Sequence, residues 1–346
     1  MKTDKLSRRD FLKRGSLAVG GLMTGALGSA VPVETSSRTV EIDRSHNFNL
    51  DMGYRRLGKT NIMISEIGLG GHGGTDLKNR EQVLARAAEL GLNYLDTNMV
   101  SECELYGQAL KGTRDKWFIG FACWPFKLTE PENVRPDVMM KNIEGALKNY
   151  RTDMLDIWRP VGASEASDRI TLLDDRVLDR VVEVFEQAKR QGKIRWLGIS
   201  VHNPANVRRI LDKYPAFSVI LFPYFFLTKE KLGDSLISLA TEKDVGIIAI
   251  KPFGGGLMFR ARGEWAYGEP EKDAAAMLRK ILVNPGISST IPGVASREQL
   301  EVNVKASHEK AQDVASLERP VLNGWERRFF ANLPPEYAWF REWEYV

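Results

Sequence analysis

Apolar positions along the chain follow two patterns that take turns. Short runs rich in β-branched and aromatic residues occupy 64–70, 93–97, 117–123, 154–160, 194–200, 219–224, 246–253 and 289–292. Between them, apolar residues recur at helical spacing, as in Val177, Val181, Val184, Phe185 and Ala188, or Leu232, Leu236, Leu239 and Ala240. Glycines stand where helix hands over to strand, at Leu90-Gly91-Leu92 and Gln191-Gly192-Lys193, and supply the left-handed residue that ends a helix. Eight strands, each followed by a helix, predict an α/β fold of the (β/α)8 barrel type. The competing arrangement, an open doubly wound sheet, needs a phosphate-binding turn after its first strand. The turn Gly68-Leu69-Gly70-Gly71-His72-Gly73-Gly74 has the glycines, but no helix starts on the last of them and no acidic residue closes a second strand in the required way. It is read as a barrel loop.

The chain has 346 residues, 43% hydrophobic and 27% charged, enough for a barrel of about 250 residues with segments to spare at both ends. Charge separates those segments. Within the first thirty residues Lys2, Lys5, Arg8, Arg9, Lys13 and Arg14 face only Asp4 and Asp10, which accounts for the whole formal charge of +4. The rest is balanced, which argues against a nucleic-acid partner. Ser7-Arg8-Arg9-Asp10-Phe11-Leu12-Lys13, followed by a weakly apolar, glycine-rich run to Ala30, resembles a twin-arginine export signal. That resemblance implies a bacterial, periplasmic protein that crosses the membrane folded. The alternative is an uncleaved N-terminal anchor, although the run is shorter than the roughly 20 apolar residues of a spanning helix. After cleavage near Ala30 no transmembrane segment is expected. The division predicted is a signal at 1–30, a linker at 31–52, the barrel at 53–315 and a C-terminal extension at 316–346. Cys103 and Cys123 are too few for a disulfide scaffold and lack the spacing for zinc or an iron–sulfur cluster, so no metal is expected; pairing with each other remains open in an oxidising compartment.

Several collinear blocks carry a family resemblance. Tyr54-Arg55-Arg56-Leu57-Gly58-Lys59-Thr60 with Ile64-Ser65-Glu66-Ile67-Gly68-Leu69-Gly70 resembles the opening hairpin and first strand of aldo/keto reductases. Asn93-Tyr94-Leu95-Asp96-Thr97, Gly192-Lys193-Ile194-Arg195-Trp196-Leu197-Gly198-Ile199-Ser200 and Ile291-Pro292-Gly293 with Gln299 and Asn303 agree in order and spacing. The resemblance spans roughly 53–311 and implies a barrel that binds NADP(H) across its strand ends and reduces carbonyls. It also implies a catalytic set of Tyr, Lys, Asp and His, because the alkoxide charge built by hydride arrival needs a proton donor and a cation that lowers the phenol's pKa.

Asp96 matches the family aspartate. The positions of the other three hold Ser101, Ala122 and Val161. Tyr106-Gly107 offers a second register for the tyrosine, the alternative being that Tyr106 is a packing residue of the second helix. On the cofactor side the resemblance selects Ser200, Asn203, Gly254, Arg297, Gln299 and Asn303, with Arg297 placed for a 2′-phosphate; Leu221, Ile250 and Val302 stand where family contacts are usual. Asn203 has a competing role as a helix cap. The strand ends carry another polar set: His72, Asn98, Glu102, Cys123, Arg159, His202, Tyr224 and Lys251. Of these, His72, Arg159 and Lys251 join Asp96 and Tyr106 as catalytic candidates. Arg159 is the expected anion clamp, because a guanidinium ending a barrel strand is costly unless paired or facing a ligand.

Trp325, Phe329, Phe330, Tyr337, Trp339, Phe340, Trp343 and Tyr345 crowd the C-terminal extension. They are expected to pack over the barrel or to present a surface to a protein partner. Two functions follow: an exported oxidoreductase acting on a small molecule with tightly held NADP(H) and an altered site, or a barrel that has lost its chemistry and serves in binding or assembly.

Overall fold

The computed structural model describes residues 46–71, 76–124, 126–162, 172–226, 230–256, 270–308, 329–331 and 333, all within one compact unit, Val40–Val346. The signal-like segment and most of the linker lie outside the described residues, as does His72.

Two short strands, β1 (Tyr54–Arg56) and β2 (Met63–Ser65), form an antiparallel hairpin with Tyr54 opposite Ser65. Seven parallel strands follow in spatial order β3 (Tyr94–Met99), β4 (Phe118–Trp124), β5 (Leu155–Trp158), β6 (Ile194–Ser200), β7 (Phe217–Pro223), β8 (Gly246–Ile250) and β9 (Ile287–Thr290). The eighth stave is residues 67–70. Ile67 bridges Thr290 and Gly70 bridges Gly293 on one side, while Leu69 bridges Leu95 on the other, joining the two edges of the sheet. The expected first strand is therefore divided: Glu66 breaks the run, its first half serving the hairpin and its second half the barrel.

A helix follows every stave: α1 (Leu77–Glu89), α2 (Val100–Ala109), α3 (Pro136–Tyr150), α4 (Asp175–Arg190), α5 (Pro204–Lys213), α6 (Glu230–Glu242), α7 (Pro270–Leu282) and α8 (Arg297–His308). Local chemistry starts them. Asp76 accepts a hydrogen bond from the Asn79 amide at 2.8 Å and Asp174 one from that of Arg176 at 2.8 Å, satisfying amides that the first helical turn leaves unpaired. On α4 the expected stripe is the buried one, with Val181, Val184, Phe185 and Ala188 turned to the sheet. No helix among the described residues is long and apolar enough to cross a membrane.

Alternation along each strand makes two cores. Tyr94, Ile157, Val219, Leu221, Ile248 and Ile291 fill the barrel, closed below by Leu57, Ile62 and Ile64 of the hairpin. Leu95, Phe121, Ile199 and Ile220 face outward to the helices. The end of the predicted linker is part of this structure: His46 stacks on Phe118 with ring centroids 4.1 Å apart, and the Asn47 side-chain amide donates to the Leu92 carbonyl at 3.0 Å. An aromatic ring and an amide found partners at the barrel floor that the segment's lack of periodicity did not reveal.

Candidate active site

Strand β3 carries the site. Its alternation turns Tyr94 and Asp96 inward and Thr97 outward, which separates two buried polar groups only one residue apart. The Asp96 carboxylate, 1% exposed, accepts hydrogen bonds from the Tyr94 hydroxyl at 2.8 Å and from Arg159 Nε at 2.8 Å. Arg159 Nη2 closes a second bond to the other carboxylate oxygen and a third to the Thr97 carbonyl at 2.9 Å. This is a fork-to-fork ion pair inside the barrel mouth. Burial opposes the guanidinium's charge, but the Asp96 carboxylate outweighs it and holds the pKa of Arg159 above its ordinary value. Burial, reinforced by the Asp96 charge, likewise lifts Tyr94 well above the ordinary phenol range, so its hydroxyl stays protonated and donates.

Asp96 and Arg159 belong to strands that are not neighbours. Between them runs β4, with Gly120 directly opposite Asp96 on one side and Ile157 on the other. A Cβ at Gly120 would lie 2.5 Å from Asp96 Oδ2 and collide with the Tyr94 hydroxyl. The glycine leaves the gap through which the two charges meet.

On the outer side of β3, the Tyr150 hydroxyl donates to Thr97 Oγ1 at 2.9 Å and the Cys103 sulfur lies 3.5 Å from the same oxygen. Cys103 is a free, buried thiol whose pKa burial pushes up to about 11. It points into the shell between barrel and helices, so pairing with Cys123, whose side chain lies outside the described residues, is not its state here.

The candidates of the sequence fare differently. Tyr106 is 1% exposed on α2, its hydroxyl accepting from Arg80 Nη1 at 3.2 Å and its ring lying under that guanidinium at 5.2 Å. Burial pushes its pKa up to about 12. It is a packing residue, and the second tyrosine register falls with that. Arg159 is corrected as well: Asp96 occupies the fork expected to clamp an external anion. Nη1 makes no hydrogen bond to any described residue, and 5% of the side chain is accessible. Ser101 is exposed on the first turn of α2, and Ala122 is fully buried. Val161 extends the sheet by bridging both Lys127 and Ser200. Glu102 caps α2, accepting from the Asn98 and Met99 amides at 2.7 and 3.0 Å. Lys251 is half-buried at a left-handed φ of 56°, and its carbonyl accepts from the Gly254 amide at 2.9 Å.

Around the mouth, Ser200 ends β6 and is 5% exposed. Asn203 Oδ1 caps α5 through the Ala205 amide at 2.9 Å, so its carbonyl oxygen is engaged by the protein. Arg297 and Gln299 are exposed on the first turn of α8, and Gln299 Oε1 accepts from the Ala295 amide at 2.8 Å. Asn303, one and a half turns further on, is 4% exposed, and its side-chain amide bonds to no described residue.

The profile of the aldo/keto reductase family matches residues 66–279, well over half of the chain. The chain belongs to the aldo/keto reductase family. Among curated proteins this chain is 25% identical over 298 residues to the uncharacterized oxidoreductase YqkF of Bacillus subtilis, covering 74% of this chain and 92% of that one. It is 24% identical over 313 residues to L-galactose dehydrogenase of Arabidopsis thaliana, covering 78% and 95%. Among solved structures, the holo form of aldo-keto reductase AKR11C1 from Bacillus halodurans superposes with a TM-score of 0.63 at 22% identity over 80% of this chain and 96% of that one. These likenesses cover the barrel, and an oxidoreductase of aldo/keto reductase type is what they support.

Sequence reasoning missed the Tyr94–Asp96–Arg159 cluster as a unit. Its signals were present: Tyr94 and Asp96 are two apart on one strand, and Gly120 interrupts an otherwise apolar strand.

Proposed function

We propose that this chain is an exported aldo/keto-reductase-like oxidoreductase that holds NADP(H) chiefly through α8 and has replaced the family's proton-transfer machinery. The observation carrying the reading is the buried Asp96–Arg159 pair: the aspartate expected to serve a lysine and a tyrosine is fully engaged by an arginine from another strand. An arginine held this way stays charged and gives up no proton.

The cofactor fits the adenine side best. Asn303 offers its amide to the base, and Arg297 offers a guanidinium to a 2′-phosphate. The turn at Gly254, which the family resemblance selects on the cofactor side, is read as part of the same site. When bound, the dinucleotide supplies hydride; the chain's residues bind and orient it. Arg297→Ala is expected to weaken NADPH binding about tenfold and to leave NADH binding little changed, as one charge-assisted contact to the 2′-phosphate requires. Titration of both nucleotides by fluorescence checks this, and equal losses for the two would count against the assignment.

For export, the paired guanidinium groups of Arg8 and Arg9 are the recognised feature. Changing both to Lys should leave the protein in the cytoplasmic fraction with its N-terminal segment uncleaved, while the parent is recovered from the periplasm. Absorbance and mass of that periplasmic protein report whether nucleotide travels with it. A nucleotide-free protein that binds neither NADPH nor NADH would favour the second reading, a binding barrel without chemistry. The self-neutralised Asp96–Arg159 pair is the observation on that side.

A further inference from the structure

We propose that Phe329, beyond α8, is a positioning residue for the glycine turn Gly254–Gly256, whose ring must pack on that turn for it to hold a nucleotide. The inference rests on the reading of this turn as part of the nucleotide site.

The turn is an improbable conformation. Gly254, Gly255 and Gly256 have φ of 59°, 68° and 82°, and Lys251 before them is also left-handed at 56°. Three successive glycines lose more freedom on ordering than any other residues would. Within the turn, the Gly254 and Gly256 amides donate to the Lys251 and Phe253 carbonyls at 2.9 and 3.1 Å. The outer wall comes from 75 residues further along the chain. A Cβ on Gly254 would lie 2.8 and 2.9 Å from two ring carbons of Phe329, so ring and backbone are in direct contact with no side chain between them.

Phe329 is fully buried, and its other neighbours explain why it stays. Its ring centroid is 5.4 Å from that of Phe225 in the loop after β7 and 5.3 Å from that of Phe330. Phe225 in turn packs edge-on against Phe226 at 6.0 Å. One side chain therefore ties the loop after β7 to the turn after β8. Those two strand ends flank each other at the mouth, on the side away from the Asp96–Arg159 pair. With the ring withdrawn, both loops lose a shared apolar surface and the glycines regain their freedom.

The test compares Phe329→Ala and Phe329→Leu with the parent in the full-length protein. Amide hydrogen exchange without nucleotide should quicken at 254–256 and 225–226 by about tenfold or more in Phe329→Ala and by less in Phe329→Leu, with β5 and β6 unchanged. NADP(H) release, followed by stopped-flow fluorescence, should quicken in the same order, again by about tenfold for the alanine variant, while association changes less. Exchange unchanged at 254–256, or quickened equally throughout the barrel, overturns the proposal. So does faster exchange at the turn with an unaltered release rate. A parent protein that binds no NADP(H) would instead overturn the nucleotide reading, and the exchange result would still decide whether Phe329 holds the turn.

Discussion

Arg159→Ala should lower the free energy of unfolding by about 3–5 kcal/mol, the cost of leaving one member of a buried ion pair without its partner. The stranded group is Asp96, 1% exposed and set among apolar barrel residues, with only the Tyr94 hydroxyl, among the described residues, still donating to it. Removing the whole cluster should cost far less. In Tyr94→Phe, Asp96→Leu, Arg159→Met no buried charge or unmatched hydroxyl remains, and similar replacements of buried pairs by apolar residues of like volume are often neutral or stabilising. Urea unfolding of the single and triple variants decides the matter. An Arg159→Ala loss under about 1 kcal/mol would mean that water reaches the pair and that it is not the closed structure seen here.

NADPH and simple aldehydes are expected to give no turnover above background with the parent protein, and the remedy should require four changes rather than three. Ser101 has a hydroxyl far less acidic than a phenol, and Ala122 supplies no charge. General acid catalysis contributes about 100 to 10,000-fold, and the missing electrostatic term multiplies the deficit. Ser101→Tyr, Ala122→Lys and Val161→His would rebuild the family set, but a lysine at 122 would meet the Arg159 guanidinium already bound to Asp96. Arg159→Gln must therefore accompany them, freeing the aspartate for the new lysine. Groups that act as a unit give little singly, so the rate should rise in the quadruple variant and hardly at all in any triple. Substantial reduction of several aldehydes by the parent would show instead that another donor at the mouth performs the acid step.

Much of this molecule is legible without coordinates. Alternating strand and helix periods, helix-ending glycines and the blocks around Asp96, Ser200 and Asn303 lead to a barrel, because each is a local statement: a period of two or 3.6, a cap, a spacing within one element. The same locality explains the errors. The 64–70 run reads as one strand, since nothing in its hydropathy says that Ser65 pairs back to Tyr54 while Ile67 pairs forward to Thr290. Tyr106 reads first as a packing residue of the second helix, with a strand-end acid displaced by an insertion as the alternative. Only the burial of its ring beneath Arg80 decides.

The site itself is where tertiary structure had the last word. By itself the sequence determined that Asp96 lies on a barrel strand and that Ser101, Ala122 and Val161 stand where the resemblance would put a tyrosine, a lysine and a histidine. It also showed that Arg159 must be paired or face a ligand, which is a matter of desolvation cost and holds in any fold. It did not say which. Asp96 and Arg159 are 63 positions apart and sit on strands separated by a third, so the pairing depends on barrel curvature, on the register that sets Gly120 opposite Asp96, and on the missing side chain there. The same holds for Phe329 on Gly254. A contact between a ring and a bare backbone leaves no periodicity to read, and the chain learns of it only when the barrel has closed and brought the two together.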